Sequence, residues 1–407
     1  MLNKIWTGML IAAVLSTLYG IFMGDSAAAG RAMDAFFSSA DSAVKIAIGL
    51  SGLMCIWLGI SRVAENSGIT EVIARILTPL FRAIMPEIPA GHRAISSITM
   101  NLSANMLGLD NAATPLGIKA MKDLQSINPD PQTASNAEIM FLVINTSAVT
   151  IFPVSIFMYR AQMGSVAPTE VFVPLLLATL CSTIAGFLVT AAVQKISLLR
   201  WPIFLALILV ISFVGAVAAW GIHAGVGLSE ESKFIANLCL LCLIGTVFFW
   251  ALIKRINAFE SFIEGAREGF KTAIDILPYL IAMLFAIALF RASGALDFLL
   301  DGLRWVVSLV TSDTRFVDSL PVAIAKPLSG SGARAMMIDV FNTFGVDSFQ
   351  GKVASIMMGS TETTFYVLAV YFGSVGIIRA RHAVACGLVA DFTAMTASVI
   401  IGYIFFG

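Results

Sequence analysis

The stretch TMNLSANMLGLDNAATPLG at residues 99–117 interrupts a very apolar chain with amides, hydroxyls, a carboxylate and a proline. A second polar stretch, AKPLSGSGARAMMID at residues 325–339, lies at the corresponding place in the other half of the chain. Hydrocarbon penalises unsatisfied backbone and bare hydroxyls, so such segments persist at membrane depth only where they are buried in protein or line a wet cavity. Paired interruptions of this kind are typical of the binding sites of transporters.

Each polar stretch is followed by an apolar run that carries a second, hydroxyl-rich patch. The patch reads NTSAVT at 145–150 in the first half and GSTETT at 359–364 in the second half. Pro115 and Pro327 lie within the two polar stretches. They predict breaks in helix there, because proline removes a backbone donor and clashes with the previous turn. Carbonyls and helix N-termini at such breaks can hold ions.

The composition indicates a membrane protein. The 407 residues are 58% apolar and 12% charged, whereas soluble domains carry about 25% charged residues. With 25 basic and 25 acidic side chains the net charge is zero, and we expect no nucleic-acid partner. We predict an all-α polytopic membrane protein with about nine spans, each near the ~20 residues that a bilayer requires. The predicted spans are 5–23, 43–62, 138–158, 171–193, 203–222, 234–253, 273–290, 353–372 and 383–406.

The N-terminus allows two interpretations. Lys4, the apolar run from Ile5 and the small residues Ala27 to Ala29 resemble a signal peptide. The apolar run to Phe22 is long for a signal sequence and long enough to span, so we expect a retained first helix.

Basic residues orient the spans, because cytoplasmic loops are enriched in Lys and Arg. Three short loops carry these residues: Lys195 and Arg200; Lys254, Arg255, Arg267 and Lys271; Arg379 and Arg381. We therefore expect a multi-pass protein of the bacterial cytoplasmic (inner) membrane with a cytoplasmic N-terminus.

The same charges predict an inverted repeat. Segments 94–118 and 316–340 should each enter and leave on one face, as re-entrant hairpins or broken helices. An odd number of crossings separates the two halves, so the second half should be upside down. We predict a first repeat at 1–200, a linking transmembrane helix at 201–230 and a second repeat at 231–407.

Two amphipathic segments support the pairing of the halves. Residues 69–84 and 296–306 place their apolar side chains on one helical face. They either lie along the membrane interface or pack over the protein itself.

Three polar clusters are candidates for solute or cation binding. The first contains Asn101, Ser103, Asn105, Asp110, Asn111 and Thr114; the second contains Lys326, Ser329, Ser331 and Arg334; the third contains Asn145, Thr146 and Ser147, with Ser360, Thr361, Glu362 and Thr363 as its counterpart. The alternative is hydrogen bonding between helices, which membrane bundles use widely.

Glu362 and Asp391 are candidates for ion coupling. Each is isolated within an apolar span, and an ionisable side chain at such depth marks function by default. A structural alternative is that Glu362 pairs with Lys326 or Arg334 to hold the hairpin.

We expect no enzyme activity, metal or cofactor. The sequence contains no Ser/His/Asp set, nucleotide-binding loop or metal-ligand spacing, and its five cysteines fall inside apolar spans.

The chain resembles a known superfamily at these motifs. Residues 43–160, with NLSANMLGLDNAATPLGIKAMKDL, resemble the bacterial spore maturation protein A family. The region from about residue 270, with KPLSGSGARAMMIDVF and GSTETTFYVLAVYFG, resembles the spore maturation protein B family. Both belong to the nucleoside-recognition, or gate, superfamily, so the chain resembles a fusion of the two.

The repeat and the resemblance together predict a secondary transporter of a small polar solute, nucleoside-like by resemblance, with possible coupling to H⁺ or Na⁺. Two alternatives remain open: a non-transporting scaffold, assembly factor or sensor, and a flippase for an anionic lipid or precursor. The expected partners are the solute or a lipid head group, membrane lipids, and further copies of the chain in a homo-oligomer.

Overall fold

The computed structural model describes residues 2–147, 150–224 and 228–407. Within these ranges the regular structure is helical, and the β pairing is limited to an isolated bridge between Thr133 and Arg379. The predicted all-α class is confirmed.

Among the described residues, the first half of the chain and a connecting helix form nine α-helices. They are α1 (Leu2–Phe22), α2 (Ala28–Ser67), α3 (Ile69–Ile84), α4 (Arg93–Met106), α5 (Asp110–Gln125), α6 (Asn136–Ser147), α7 (Val154–Gln162), α8 (Phe172–Val193) and the connecting helix α9 (Trp201–Ala224).

The second half repeats the order of elements seen in α1 to α8. Its helices are α10 (Leu228–Ile253), α11 (Ala258–Ala292), α12 (Ala295–Ser308), a short 3₁₀ helix (Arg315–Ser319), α13 (Leu320–Ala325), α14 (Gly330–Phe344), α15 (Phe349–Gly359), α16 (Thr364–Gly373) and α17 (Ala383–Phe406). The predicted amphipathic segments correspond to α3 and α12. The division into domains at 200 and 230 stays a prediction.

The polar stretch of the first half folds into an antiparallel helical hairpin, α4–α5, which we call the first hairpin. Arg93 pairs with Asp123 at 2.8 Å at its base. The Asn101 amide donates to the Ala113 carbonyl at 2.7 Å nearer its tip. Both ends of the segment therefore lie at the same end of the hairpin, as a re-entrant segment requires. The second hairpin, α13–α14, turns at residues 326–329.

Two predicted spans are interrupted rather than continuous. Within 138–158, α6 ends at Ser147 and α7 begins at Val154; within 353–372, α15 ends at Gly359 and α16 begins at Thr364. We call residues 150–153 the first break and 360–363 the second break. Pro153 directly precedes α7, where its missing amide donor favours a helix start. Both breaks overlap the hydroxyl-rich patches.

Seven described helices are long and apolar enough to cross a membrane. This count takes α15 and α16 together as one span, Phe349–Gly373, across the second break. The seven are Lys4–Phe22, Ala28–Ser67, Phe172–Val193, Glu230–Ile253, Ala258–Ala292, Phe349–Gly373 and Ala383–Phe406. The sequence predicts about nine spans, and the difference from these seven arises at two places. The first break divides 138–158, and 203–222 falls in α9, whose apolar part Trp201–Val217 is shorter than the seven.

Equivalent helices of the two halves pack antiparallel. The Asn66 amide donates to the Ser261 hydroxyl at 2.9 Å, and the Phe36 and Phe285 rings meet at 5.3 Å, so α2 and α11 run in opposite directions. Their backbones approach so closely that a Cβ on Gly265 would lie 2.2 Å from the Leu58 carbonyl oxygen.

Helices α8 and α17 also run in opposite directions. Gln194 near the end of α8 meets His382 at the start of α17 at 3.1 Å. The Ser182 hydroxyl, earlier in α8, donates to the Ala390 carbonyl at 3.1 Å. Two pairs of equivalent helices are thus antiparallel, in agreement with an inverted repeat.

The centre of the molecule lies along α6 and α15. Residues 137–147 of α6 are all buried, as are residues 353–358 of α15. Each of these two helices is followed by a break, and none of residues 150–153 and 360–363 is exposed.

Candidate functional site

A polar cavity of about 370 Å³ lies between the two breaks and the two hairpins. Its walls come from both halves of the chain. The lining residues are Asn105, Ala113, Thr114, Asn145, Thr150, Pro153, Ser155, Ile156, Lys326, Arg334, Met358, Gly359, Thr361, Glu362, Tyr366, Val367 and Tyr371.

Seven of the sequence-predicted site residues line this cavity. They are Asn105, Thr114, Asn145, Lys326, Arg334, Thr361 and Glu362. All three sequence clusters are represented, so the fold brings residues together that are more than 200 positions apart in the chain.

The second break contacts the end of α6 directly. The backbone amide of Glu362 in the second break donates to the carbonyl of Thr146, at the end of α6, at 2.8 Å. The Thr183 hydroxyl of α8 caps the next carbonyl, that of Ser147, at 3.3 Å. These bonds satisfy carbonyls that the end of α6 leaves without helical partners.

Equivalent bonds join the first break and the start of α16 to the hairpins of their own halves. The amide of Ile151 donates to the carbonyl of Met106 at 3.0 Å, and the amide of Phe365 donates to the carbonyl of Pro327 at 3.0 Å. Ile151 and Phe365 are equivalent because each directly follows its patch, NTSAVT or GSTETT. Met106 ends α4, and Pro327 lies two residues beyond the end of α13.

Gly108 allows the first hairpin to approach the first break. It has φ +69°, and a Cβ at this position would lie 2.7 Å from the Phe152 carbonyl oxygen. A side chain would therefore suffer both backbone strain and a steric clash.

A hydrogen-bonded group of amides forms one wall of the cavity. The Asn105 amide donates to Asn145 Oδ1 at 2.9 Å, and the Asn145 amide donates to the Phe141 carbonyl at 2.9 Å. The Tyr371 hydroxyl approaches the same Asn145 oxygen at 3.4 Å. This group links the first hairpin, α6 and α16, and offers polar atoms to a solute.

Charged groups of both signs face the cavity. Glu362 is half-buried, Lys326 is buried, and the Arg334 guanidinium lies 5.5 Å from the centre of the Tyr159 ring. The predicted structural pairing of Glu362 with Arg334 is not among the ion pairs of the described side chains. Glu362 therefore faces the cavity without that partner.

Several predicted residues bond to the backbone outside the cavity. Asn101 bonds within the first hairpin, Ser103 donates to the Thr99 carbonyl at 2.6 Å, and Ser360 donates to the Met357 carbonyl at 3.1 Å. These three match the structural alternative of helix hydrogen bonding.

The remaining predicted hydroxyls also lie outside the lining. The Ser147 hydroxyl donates to the Ile144 carbonyl at 3.2 Å, and Ser329 caps α14 and lies 3.2 Å from Ser331. Thr146 and Thr363 are buried at the breaks. The side chains of Asp110 and Asn111, at the start of α5, lie outside the described part of the structure.

Asp391 is buried beside the cavity and does not line it. Its carboxylate accepts a hydrogen bond from the Thr364 hydroxyl at 2.6 Å. The two predicted coupling residues therefore occupy different places, Glu362 in the cavity and Asp391 in the protein interior.

Sequence reasoning missed the aromatic and small residues of the lining. Tyr366 and Tyr371 lie in an apolar run, and Ser155 follows the first break. The sequence feature that could have indicated the two tyrosines is a phenol hydroxyl within an otherwise apolar span. The contact of Tyr371 with Asn145 depends on how α16 packs on α6.

A second cavity of about 290 Å³ adjoins the first and shares Thr150, Ser155 and Arg334 with it. Its walls come mainly from α2, α7 and α11. Arg62 contacts Glu65 at 3.0 Å and also pairs with Glu268 at its rim. We call this second cavity the vestibule.

The described residues contain no group of three or more His, Cys, Asp or Glu side chains placed to hold a metal ion.

Comparison with known families assigns the chain to a family. The Gate family, described as nucleoside recognition, matches residues 47–163 and 273–378, which together make up more than half of the chain. These two ranges contain both hairpins and both breaks. The chain belongs to this family and is a multi-pass membrane protein.

Two relatives of Bacillus subtilis (strain 168) each match part of the chain. Spore maturation protein B is 44% identical over 178 residues, which are 44% of this chain and 98% of that protein. Spore maturation protein A is 35% identical over 189 residues, which are 46% of this chain and 93% of that protein. The chain thus combines sequence similar to both proteins, and the predicted resemblance to a fusion is confirmed.

Proposed function

We propose that this Gate-family protein is a secondary permease that binds a small polar solute in the cavity between its two breaks. The observation that carries the proposal is the convergence of both breaks and both hairpins on one polar cavity. Transporters with inverted repeats bind their substrates at the repeat interface, where discontinuous helices expose carbonyls and helix N-termini. We place the protein in the bacterial inner membrane with a cytoplasmic N-terminus, as the loop charges favour.

The lining favours a neutral or anionic solute of moderate size. A cavity of about 370 Å³ falls within the usual range of small-molecule sites, about 300–1,000 Å³. Asn105 and Asn145 offer amides, Glu362 offers a carboxylate, and Lys326 and Arg334 offer cations. Nucleosides are the first class to test, because they present hydroxyls and base edges to such groups and the family is described as nucleoside recognition.

The vestibule supports a route into the cavity. It meets the cavity at Thr150, Ser155 and Arg334, so movement of the Arg334 side chain would join the two spaces. The contact of Arg334 with the Tyr159 ring would then close the inner end of that route. The ion pairs of Arg62 would close its outer end.

A ligand screen by thermal melting tests the proposal on purified protein. Nucleosides, nucleobases and other small polar solutes are added in turn, and the melting temperature is compared with that of the free protein. We expect at least one class to raise it, because a ligand that binds only the folded state stabilises that state. Asn145→Leu should abolish the rise. Thr190→Ala should retain it, because the Thr190 hydroxyl bonds within α8 to the Gly186 carbonyl at 2.7 Å.

One observation favours a second candidate, the transfer of an anionic lipid or lipid-linked precursor. An almost wholly apolar groove of about 410 Å³ runs between α3, α4, α8 and α9, and it shares Asn105 with the polar cavity. A head group could reach Lys326 and Arg334 while its chain occupies the groove. Stabilisation by anionic lipids and not by soluble solutes would favour this candidate, and stabilisation by neither would favour a non-transporting scaffold.

A further inference from the structure

Two charged groups of the cavity lining have no ion pair or hydrogen bond among the described residues. They are the carboxylate of Glu362, in the second break, and the guanidinium of Arg334, in the first turns of α14. The guanidinium lies over the Tyr159 ring, 5.5 Å from its centre. This contact covers one face of the guanidinium and leaves the N–H donors at its edge for a ligand. An unpaired charge is costly in a low-dielectric interior, so both groups favour a partner of opposite charge.

Arg334 and Glu362 are not paired with each other. Their charged atoms are more than 4.0 Å apart, which leaves room for a solute between them. The third charged group of the lining, Lys326, is buried and has interactions of its own, one of which is electrostatic, with Asp391. Arg334 and Glu362 are therefore the two charges that the lining offers to a solute.

The repeat places the charged groups in one half of the cavity wall. Arg334 is the fifth residue of α14, and the fifth residue of α5 is Thr114, which also lines the cavity. Lys326 and Asn105 are equivalent too, because each directly precedes the hairpin residue whose carbonyl accepts the bond described above. The second half of the chain thus supplies charged groups where the first half supplies neutral polar ones. A solute bound between the halves would meet charges at one end and hydroxyls and amides at the other.

We infer that the solute is a zwitterion of the α-amino acid class, with its carboxylate on Arg334 and its ammonium on Glu362. A guanidinium binds a carboxylate through two parallel N–H···O bonds, and an ammonium donates to a carboxylate. A zwitterion satisfies both groups at once. Its side chain would then face the amides of Asn105 and Asn145 across the cavity.

Solutes of other charge satisfy the site less well. An anion would pair with Arg334 but be repelled by Glu362, and a cation would have the opposite fault. An uncharged solute would leave both charges unpaired. Discrimination of this kind rests on the penalty that the wrong solute incurs, as well as on the contacts that the right one makes. This inference names the substrate class of the proposed permease and rests on that function.

The test compares ligands that differ by one charge. The twenty common L-amino acids are screened by thermal melting of the purified protein. The dissociation constant of the most stabilising one is obtained from the rise in melting temperature with its concentration. Its carboxamide lacks the carboxylate, and its N-acetyl form lacks the ammonium. We expect each to bind about 10- to 100-fold more weakly than the amino acid, the usual effect of losing hydrogen bonds to a charged group.

Two variants should separate the contacts. Arg334→Gln should weaken binding of the amino acid and of its N-acetyl form but not of the carboxamide. Glu362→Gln should weaken binding of the amino acid and of the carboxamide but not of the N-acetyl form. Arg75→Gln and Glu260→Gln, at exposed positions of α3 and α11, should bind all three ligands as wild type does. The comparison of the three ligands on wild type serves if a variant does not fold.

Three results would overturn the inference. Equal binding of the amino acid, its carboxamide and its N-acetyl form is the first, and an unchanged preference in both variants is the second. The third is stabilisation by nucleosides or other uncharged solutes and by no amino acid, which would leave the proposed permease standing. Stabilisation by no solute at all would contradict the proposed function, and this inference with it.

Discussion

The backbone amide of Glu362 donates to the carbonyl of Thr146 at 2.8 Å, and this bond joins the two interrupted helices at the centre of the molecule. Thr146 lies in the NTSAVT patch of the first half, and Glu362 lies in the GSTETT patch of the second. The two halves therefore meet through the segments that the sequence marks as unsuited to continuous helix. A shift of one half against the other would have to break this bond.

Replacing Glu362 with Gln separates its two possible roles. Gln keeps the shape and the backbone bond to Thr146 but removes the charge that faces the cavity. Because the structure gives Glu362 no ion pair with Arg334, we expect near-normal melting in detergent and loss of transport or of its pH dependence in liposomes. If Glu362 were instead one partner of a buried ion pair, the substitution would leave the other charge unpaired and cost roughly 3–5 kcal/mol of stability. Glu260→Gln, at an exposed position, is the control.

Arg160 should be important for stability. It is fully buried at the end of α7 and pairs with Glu170 at 2.7 Å and with Asp347 of the other half at 2.9 Å. Arg160→Met removes a buried cation from both carboxylates, so we expect a loss of about 3–5 kcal/mol. Thermal melting measures this loss, and Arg31→Met, which breaks an exposed pair with Asp25, should melt like wild type. Equal melting of both variants would refute the role of Arg160.

The contact between the first hairpin and the first break should require glycine at position 108. Gly108→Ala places a Cβ 2.7 Å from the Phe152 carbonyl oxygen, whereas Gly164→Ala, at a similar positive φ of +82°, meets nothing within 4 Å. Both variants carry backbone strain of about 1–3 kcal/mol. We expect Gly108→Ala to melt lower than Gly164→Ala and to weaken solute binding, and no difference between them would contradict the contact.

Cysteine labelling tests the orientation in the membrane. Cysteines introduced at Gly164 and Ser229 should react with an impermeant reagent added outside the cell, and one at Asn257 should not. Gly164 and Asn257 are exposed, and the side chain of Ser229 lies outside the described part. Labelling at Asn257 from outside would contradict the orientation deduced from the loop charges.

Much of the fold could be predicted from the sequence. The polar stretches around Pro115 and Pro327 marked the two hairpins, because few other segments of so apolar a chain carry amides and prolines. The breaks after Ser147 and Gly359 were harder to place, since apolar residues on both sides gave each run the average hydropathy of a continuous span.

Less of the site could be predicted. Side-chain type indicated Asn105, Asn145 and Glu362, which line the cavity, but it equally indicated Ser103 and Ser360, which bond to their own helices. Whether a hydroxyl faces the cavity or the preceding turn depends on helix rotation, which composition does not fix. The approach of Tyr371 to Asn145 depends on packing between elements more than 200 residues apart.

Uptake into liposomes tests the central claim most directly. Wild-type protein and Asn145→Leu are reconstituted in parallel, and labelled nucleosides and related polar solutes are supplied under an H⁺ or a Na⁺ gradient. We predict saturable uptake above that of protein-free liposomes for wild type and background uptake for Asn145→Leu. Uptake by wild type that equals the protein-free background for every solute under both gradients would contradict the account.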